Sequence, residues 1–238
     1  MSSRSRVVFV PGLLCDARLW RAQAEALAGA AECWIADATR TESMAGLAAD
    51  LLADCPFERF ALAGLSMGGY VALEVMRQAP GRVERLALLD TTARPDTPEQ
   101  SRKRRDFIAL AERGRFLGVT DALLPMLIHP SRLEDAELVA LVKAMAREIG
   151  KEAFVRQERA IMSRGDSRPL LPRIACPTLV LCGRQDALTP LDRHEEIAAA
   201  VPGARLRIVE DCGHLSTLER PGAVNAALER WLAAPSRP

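Results

Sequence analysis

The sequence predicts an α/β fold with a mainly parallel sheet flanked by helices. Short apolar runs of strand length alternate with helical stretches along most of the 238 residues, as is typical of such a sheet. Proline and glycine mark the ends of the helical stretches. The chain is long enough for one large domain, and its 49% hydrophobic and 26% charged residues are those of a globular protein.

Six apolar runs are expected to form the strands. Pro80 and Gly81 end the helical stretch after the third run, and Pro190 opens the helix after the fifth. Pro221 opens a last helix that ends near Trp231. The strand runs lie near residues 7–10, 33–36, 60–63, 85–90, 177–182 and 205–209.

The first apolar run follows a few basic residues, as a secretion signal does. It breaks at Pro11 and Gly12 and is about half as long as a good signal segment, so a core strand is the better interpretation. No run approaches the roughly 20 apolar residues of a membrane-spanning helix. The net charge of +1 gives no electrostatic reason to expect nucleic acid as a partner. We therefore expect a cytoplasmic protein.

The third strand run leads into the segment GLSMGG at residues 64–69, and a helical stretch follows. Strand, sharp turn at serine and helix are the context of a nucleophile elbow, in which a strained serine stands clear of the sheet. Gly64 and Gly68 remove side chains where the strand and the helix run close together. Because the helix N-terminus points at Ser66, the amide of Met67 is expected to stabilise negative charge on a reacting oxygen.

A serine hydroxyl needs a neighbouring base, and the chain has three histidines. His214 lies in a turn after the sixth strand run, at the strand end where ligands of open α/β sheets bind. His129 ends a helical segment and is interpreted as a surface or helix-cap residue. His194 lies beside two glutamates and is interpreted as part of a solvated helix face. His214 is therefore the expected base.

The acid that orients this base is expected at another strand end, between Ser66 and His214 in the sequence. Asp186 follows the fifth strand run and gives the order Ser, Asp, His, which is the order in hydrolases with a nucleophile elbow. Two rivals are Asp90, which ends the fourth run, and Asp211, which belongs to the turn before the histidine.

With these residues, the chain resembles proteins of the α/β-hydrolase fold, including the enol-lactone hydrolase branch, along most of its length. The segments GLSMGG, GRQD and GHLSTLERP have the family's spacings, and the last carries the Glu219 and Pro221 commonly seen after the family's histidine. Residues 7–20 resemble the first core strand and the oxyanion loop. By that resemblance, the amide of Leu13 is the second oxyanion donor, beside that of Met67.

The chain departs from the family pattern at two places near its N-terminus. Pro11 and Gly12 stand where many members have His then Gly, which keeps the amide-donating position and changes how the loop is braced. The family's usual leading β-hairpin is missing before Val7, so a shortened sheet is expected.

The regular alternation lapses between about Arg94 and Arg168, where helical stretches follow one another. The family usually places its cap here, between the fourth and fifth strands. The resemblance therefore implies a hydrolase core of residues 1–93 and 170–238 and a helical cap of residues 94–169. Leu123, Met126 and Leu127 are candidates for the wall of an acyl pocket, although core packing is the commoner role of such residues.

The sequence predicts neither a cofactor nor a metal. GLSMGG lacks the spacing of dinucleotide-binding and phosphate-binding loops, and no His, Cys and Asp cluster has metal-ligand spacing.

The six cysteines are expected to be free. Cys15 lies just before the predicted helix cap Asp16, a position that lowers the pKa of a thiol. We nevertheless assign it a packing role. The basic run of residues 102–105 is interpreted as a solvated helix face rather than as a site for an acidic partner.

Together these features predict a serine hydrolase that cleaves small or medium carboxylic esters through an acyl-enzyme. Ser66 attacks the carbonyl, His214 takes its proton and Asp186 orients the imidazole. Lactone, thioester or carbon–carbon bond hydrolysis and cofactor-free perhydrolysis on the same residues remain alternatives. A ligand-sensing, receptor-like protein is the alternative from a different class.

Overall fold

A computed structural model describes residues 4–234, and its strands form one parallel sheet of six. The order across the sheet is β2-β1-β3-β4-β5-β6. The six predicted runs coincide with these strands to within two residues at either end, which confirms the α/β prediction. The strands are β1 (Ser5–Val10), β2 (Ala31–Ile35), β3 (Phe60–Leu65), β4 (Val83–Leu89), β5 (Thr178–Gly183) and β6 (Arg205–Val209).

Helices cover both faces of the sheet. The longest, α6, is interrupted at Gly150, whose φ of 77° lies in the left-handed region that glycine adopts without strain. The α-helices of residues 4–234 are α1 (Arg21–Leu27), α2 (Met44–Asp54), α3 (Met67–Gln78), α4 (Pro98–Glu112), α5 (Leu124–Leu127), α6 (Ala136–Ser163), α7 (Leu191–Ala200), α8 (Ser216–Glu219) and α9 (Pro221–Ala233).

The core lies in two layers, one on each face of the sheet. Side chains of a strand alternate between faces, so Val8 and Leu62 belong to one buried cluster and Phe9 to the other. The Phe9 ring stacks on Trp20 with 4.6 Å between ring centroids. β3 and β5 are buried along their whole length, because helices cover both faces of a parallel sheet.

The register of the sheet brings the carboxyl ends of the central strands to one edge. Leu65 pairs with Leu89, and Leu89 pairs with Leu181 on the next strand. The loops that follow β3, β4, β5 and β6 therefore leave the sheet side by side. Ligands of open α/β sheets bind at this edge.

Residues 94–169, between β4 and β5, form α4, α5 and α6 and contain no strand. We call this segment the helical insertion. Its last part is tied to the main core, since Ala160 and Ile161 of α6 belong to the same buried cluster as β3.

A buried group of charges also holds the helical insertion together. Arg104 of α4 pairs with Asp96 at 2.7 Å and with Glu158 of α6 at 2.6 Å, and both carboxylates are almost completely buried. Arg164 pairs with the other Asp96 oxygen at 2.7 Å and lies over the ring of Tyr70. The solvated-face interpretation of residues 102–105 is therefore wrong for Arg104, although the other three residues of that run are exposed.

The six cysteines are all free. In the part of the chain that the structure describes, no helix combines the length and apolar character needed to cross a membrane. Within the same residues, no group of three or more His, Cys, Asp or Glu is placed to hold a metal ion.

Candidate active site

Ser66 occupies a strained turn between β3 and α3. Its φ of 56° and ψ of −115° lie outside the regions that non-glycine residues favour. A Cβ at Gly64 would lie 2.2 Å from the carbonyl oxygen of Gly68, and one at Gly68 would lie 2.1 Å from that of Val10. Neither position therefore has room for a side chain unless the backbone moves.

Ser66, His214 and Asp186 form one hydrogen-bonded row at the carboxyl edge of the sheet. His214 Nε2 lies 2.8 Å from Ser66 Oγ. His214 Nδ1 lies 2.8 Å and 2.9 Å from the two carboxylate oxygens of Asp186. The three side chains thus have the mutual geometry of a nucleophile, a base and an orienting acid.

The charges of the buried His214 and Asp186 stabilise each other. Burial alone lowers the pKa of His214, but the Asp186 carboxylate, which also hydrogen-bonds the ring, acts with the nearby Asp90 and Glu219 to hold that pKa above its ordinary value. Burial alone raises the pKa of Asp186, but His214 and the hydrogen bonds of Thr189 keep it below the usual range. The pair therefore favours an imidazolium next to a carboxylate, which is the ion pair that forms when a serine loses its proton to histidine.

The loop after β5 fixes the Asp186 carboxylate. Oδ1 accepts hydrogen bonds from the amides of Leu188 and Thr189, both at 2.9 Å. Oδ2 accepts one from the Thr189 hydroxyl at 2.6 Å. These donors favour the charged form of Asp186 and set its orientation toward His214.

The buried carboxylate of Glu219 holds the turn that carries His214. It accepts hydrogen bonds from the amides of Gly213 at 3.0 Å, Leu215 at 3.2 Å and His129 at 2.7 Å. Glu219 thereby joins the His214 turn to the helical insertion and explains why a glutamate stands five residues after the histidine in this chain.

The amides of Leu13 and Met67 are the two predicted oxyanion donors. Met67 is the first residue of α3, so its amide has no intrahelical acceptor. Within residues 4–234, the structure gives neither amide a hydrogen-bond acceptor. A Cβ at Gly12 would lie 3.4 Å from the Cβ of Ser66, so the loop that carries Leu13 runs beside the serine.

The chain matches the profile of a known protein family over most of its length. The profile of the alpha/beta hydrolase family matches residues 7–227. The chain belongs to this family. The resemblance and the fold expected from the sequence are thereby confirmed.

Similar proteins include several alpha/beta hydrolases. A thermophilic esterase from Thermogutta terrifontis, solved with malate bound, is 30% identical, with a TM-score of 0.89 over 97% of this chain and 90% of that one. An enol-lactonase from Burkholderia xenovorans is 26% identical, with a TM-score of 0.88 over 98% of this chain and 92% of that one. The pimeloyl-[acyl-carrier protein] methyl ester esterase of Nitrosomonas europaea is 27% identical over 178 residues, which are 72% of this chain and 71% of that protein.

Asp90, the rival acid, lies beside these three side chains, and no hydrogen bond joins it to His214 in the described part of the chain. Its Oδ1 accepts a hydrogen bond from the Gly183 amide at 2.9 Å, and its Oδ2 accepts one from the Ser216 hydroxyl. Burial, together with the charge of Asp186, holds the pKa of Asp90 well above its ordinary value. Asp186, whose pKa is lowered, is therefore the better partner for a positively charged His214.

The solvated-face interpretation of His194 is wrong in this hydrolase. His194 is completely buried, its Nε2 accepts a hydrogen bond from the Thr91 amide at 2.9 Å, and burial lowers its pKa to about 4. His194 therefore lies in the core rather than on a solvated surface. Cys15 has the packing role assigned to it, since it is buried in the core. Burial raises its thiol pKa to about 12, whereas the position before a helix cap would lower it.

The three predicted pocket residues differ in their surroundings. Leu123 and Met126 are 39% and 41% exposed, whereas the side chain of Leu127 packs on the second core cluster. The carbonyl oxygen of Leu127 accepts hydrogen bonds from the amides of His214 and Leu215, both at 3.1 Å. The short helix α5 therefore lies directly against the His214 turn. His129 caps a single-turn helix nearby, as the sequence indicated.

The sequence did not indicate that Gln157 and Thr189 support the candidate site. Thr189 stands three residues after Asp186, a spacing at which an aspartate side chain commonly accepts from a backbone amide, so a local signal existed. Gln157 lies 143 residues from its partner Leu14, and no local pattern indicates that contact.

Proposed function

We propose that this protein is a serine hydrolase of carboxylic esters in which Ser66 is the nucleophile. The Ser66 hydroxyl attacks the ester carbonyl, and His214 Nε2 takes the hydroxyl proton. Asp186 orients the imidazole and stabilises the imidazolium. The observation that carries the proposal is the 2.8 Å contact between Ser66 Oγ and His214 Nε2 on an imidazole whose other nitrogen is held by Asp186.

The negative oxygen of the tetrahedral intermediate would be held by the amides of Leu13 and Met67. His214 then gives its proton to the leaving alcohol, and an acyl-enzyme forms on Ser66. A water molecule attacks this ester in the same way, with His214 again the base, and releases the acid. Within residues 4–234 these two amides have no hydrogen-bond acceptor, which supports this assignment, because preorganised donors are a large source of transition-state stabilisation.

An ester is the substrate class that the comparisons favour. The esterase from Thermogutta terrifontis is 30% identical over nearly the whole chain. The chemistry of an ester also needs nothing beyond the row of three side chains, the two amides and water. A small or medium acyl substrate is proposed, together with a cytoplasmic location, which suits six free cysteines.

A lactone is the second candidate, since an enol-lactonase is 26% identical with a TM-score of 0.88. A lactone is a cyclic ester, so attack by Ser66 opens the ring and leaves the alcohol attached to the acyl group. The weaker alternatives are thioester hydrolysis, carbon–carbon bond hydrolysis, perhydrolysis and ligand sensing. No contact of the described residues favours any of these four over ester hydrolysis.

We further propose that the helical insertion is a cap over the site. Its segment α5 bonds the His214 turn through the Leu127 carbonyl, and its His129 amide bonds Glu219. The exposed side chains of Leu123 and Met126 are then available to an acyl chain. The catalytic groups would then lie in the core, residues 1–93 and 170–238. The cap, residues 94–169, would determine which acyl chains are preferred.

The test is a fluorophosphonate probe combined with p-nitrophenyl esters of graded acyl length and with lactones. The probe is expected to label Ser66, and Ser66→Ala is expected to lower ester turnover by roughly 10⁴-fold to 10⁶-fold without unfolding the protein. Ser101→Ala, at a half-buried serine of α4, is the matched control. Labelling of another residue, or substantial turnover by Ser66→Ala, would contradict the proposal.

A further inference from the structure

Gln157 joins the helical insertion to the loop that carries the Leu13 amide. This glutamine lies in the second half of α6 and is completely buried. Its Oε1 accepts a hydrogen bond from the Leu14 amide at 3.1 Å, and its Nε2 donates one to the carbonyl oxygen of Ala38 at 2.9 Å. Since both ends of the side-chain amide have partners of the right polarity, its orientation is fixed.

The Leu14 backbone needs such a partner. Leu14 has a φ of 58°, a conformation that L-residues rarely adopt, and it is 8% exposed. Its side chain packs in the same buried cluster as Phe154 and Val155, which precede Gln157 on α6. Without Gln157, the Leu14 amide would be a buried donor without an acceptor, which a fold rarely tolerates.

The orientation of Leu14 bears directly on the proposed oxyanion donor. The Leu13 amide and the Leu14 amide are separated only by the φ and ψ of Leu13, because each peptide group is planar. A change in the position of the Leu14 amide therefore turns or moves that of Leu13. Oxyanion stabilisation depends on donor distances of about 2.7–3.1 Å, so small displacements reduce it.

We propose that Gln157 is a positioning residue that sets the Leu13 amide for oxyanion binding, and that the helical insertion thereby acts on the chemical step as well as on substrate choice. This inference rests on the proposed function. The hydrogen bond from Leu14 to Gln157 also shows how the oxyanion loop is held in place in a chain where Pro11 and Gly12 replace the more common His and Gly.

Arg156 supplies a matched control from the neighbouring position. Its Nε donates to the carbonyl oxygen of Thr39 at 2.7 Å, so it also joins α6 to the segment after β2. In the described part of the chain no hydrogen bond joins Arg156 to Leu14, whose amide donates to Gln157. Arg156→Met therefore weakens the same junction between the insertion and the core but leaves the oxyanion loop braced.

The experiment compares Gln157→Met, Gln157→Glu and Arg156→Met with the unchanged protein. Three quantities are measured: kcat and KM for a p-nitrophenyl ester, and the second-order rate constant with which a fluorophosphonate labels Ser66. In labelling, the serine oxygen bonds to phosphorus, fluoride leaves and His214 takes the serine proton. Because the phosphoryl oxygen occupies the oxyanion site during this step, the labelling rate depends on the oxyanion donors and can be measured without the natural substrate. Thermal unfolding of each variant is followed in parallel.

Gln157→Met is expected to lower kcat and the labelling rate about 10-fold to 100-fold, less than the roughly 100-fold to 1,000-fold loss from removing a donor outright. KM should change by less than about twofold, because the ground-state ester does not need the oxyanion donors. Gln157→Glu should recover most of the loss, since a buried glutamic acid is held neutral and then accepts from Leu14 and donates to Ala38 as glutamine does. Arg156→Met should react at the rate of the unchanged protein.

Equal losses in Gln157→Met and Arg156→Met would show a general effect of the junction and overturn the positioning role, as would an unchanged rate in Gln157→Met. If Gln157→Met does not fold, Gln157→Asn, which is one methylene too short to reach both partners, takes its place with a smaller expected loss in kcat. If the unchanged protein is neither labelled at Ser66 nor active on any ester, the proposed function fails. If it reacts and the glutamine variants react equally fast, only the role of Gln157 fails.

Discussion

The imidazole of His194 accepts a hydrogen bond from the amide of Thr91, and the hydroxyl of Thr91 donates to the carbonyl oxygen of Ser66 at 2.8 Å. The His194 ring must therefore carry its proton on Nδ1, which lies 3.4 Å from the Pro190 carbonyl oxygen. Protonation of Nε2 would break the bond to Thr91. A buried histidine thus supports the turn at Ser66 only in its neutral form.

His194 predicts that the protein loses stability in mild acid. Its pKa is about 4 in the fold and 6.5 in the unfolded chain, so the unfolded state gains a proton first as the pH falls. The free energy of unfolding should decrease from pH 6.5 toward pH 4, by up to about 3 kcal/mol from this residue. His194→Gln keeps an acceptor for Thr91 and does not titrate. Urea unfolding across this range should give a flatter pH dependence for the variant, and parallel curves for the two proteins would disprove the assignment.

His194 also shows where sequence reasoning failed. Its neighbours Glu195 and Glu196 suggested a solvated face, but successive helix residues point in different directions. His194 and Ile197, three residues apart, form the buried face of α7, while Glu195 is exposed. The spacing to Ile197 was the available signal.

The strands were predictable because burial in a parallel sheet leaves a continuous apolar run in the local sequence. The elbow was predictable because close packing of strand and helix requires glycine at fixed positions beside Ser66. The contacts of Gln157 and Arg104 were not, since their partners lie 143 and 54 residues away along the chain. Such contacts depend on tertiary packing, which a single sequence does not record.

Asp186 and Asp90 are distinguished by paired substitutions. Asp186→Asn should lower kcat about 10⁴-fold, because the amide favours the wrong histidine tautomer. Asp90→Asn should cost less than about tenfold, since the Asp90 oxygens bond Gly183 and Ser216 rather than His214, and asparagine keeps an acceptor for Gly183. Asp211→Asn is the control, as this carboxylate is 71% exposed. A greater loss in Asp90→Asn, with Asp186→Asn nearly unchanged, would move the acid to Asp90.

The pH dependence of activity follows from His214. The Asp186 carboxylate raises the pKa of His214 above 6.5, and only the neutral imidazole can take the serine proton. The kcat/KM for an ester should therefore fall as the pH drops through a midpoint above 6.5. Asp186→Asn should move that midpoint to lower pH, because it removes the charge that stabilises the imidazolium. A midpoint well below 6.5 in the unchanged protein would contradict the base assignment.

The helical insertion should govern acyl preference through its exposed apolar side chains. Leu123→Trp adds bulk next to α5, which lies against the His214 turn, so KM should rise for long acyl chains before short ones. kcat for the shortest ester should stay nearly constant. Leu117→Trp, at a residue 75% exposed in the same insertion, is the control. A uniform fall in kcat across all chain lengths would show that Leu123 does not line the acyl pocket.

Arg104 should be the residue of the basic run on which stability depends. Removing its guanidinium leaves the carboxylates of Asp96 and Glu158 buried with one cation fewer, and breaking a buried pair in this way costs about 3–5 kcal/mol. Arg104→Gln is therefore expected to lower the urea midpoint sharply, whereas Arg102→Gln on the exposed face of the same helix should leave it nearly unchanged. Burial raises the pKa of Glu158, so a neutral Glu158 would relieve part of the loss at lower pH. The two variants should accordingly differ most near neutral pH and less in mild acid, and equal midpoints at neutral pH would show that the pairs of Arg104 contribute no net stability.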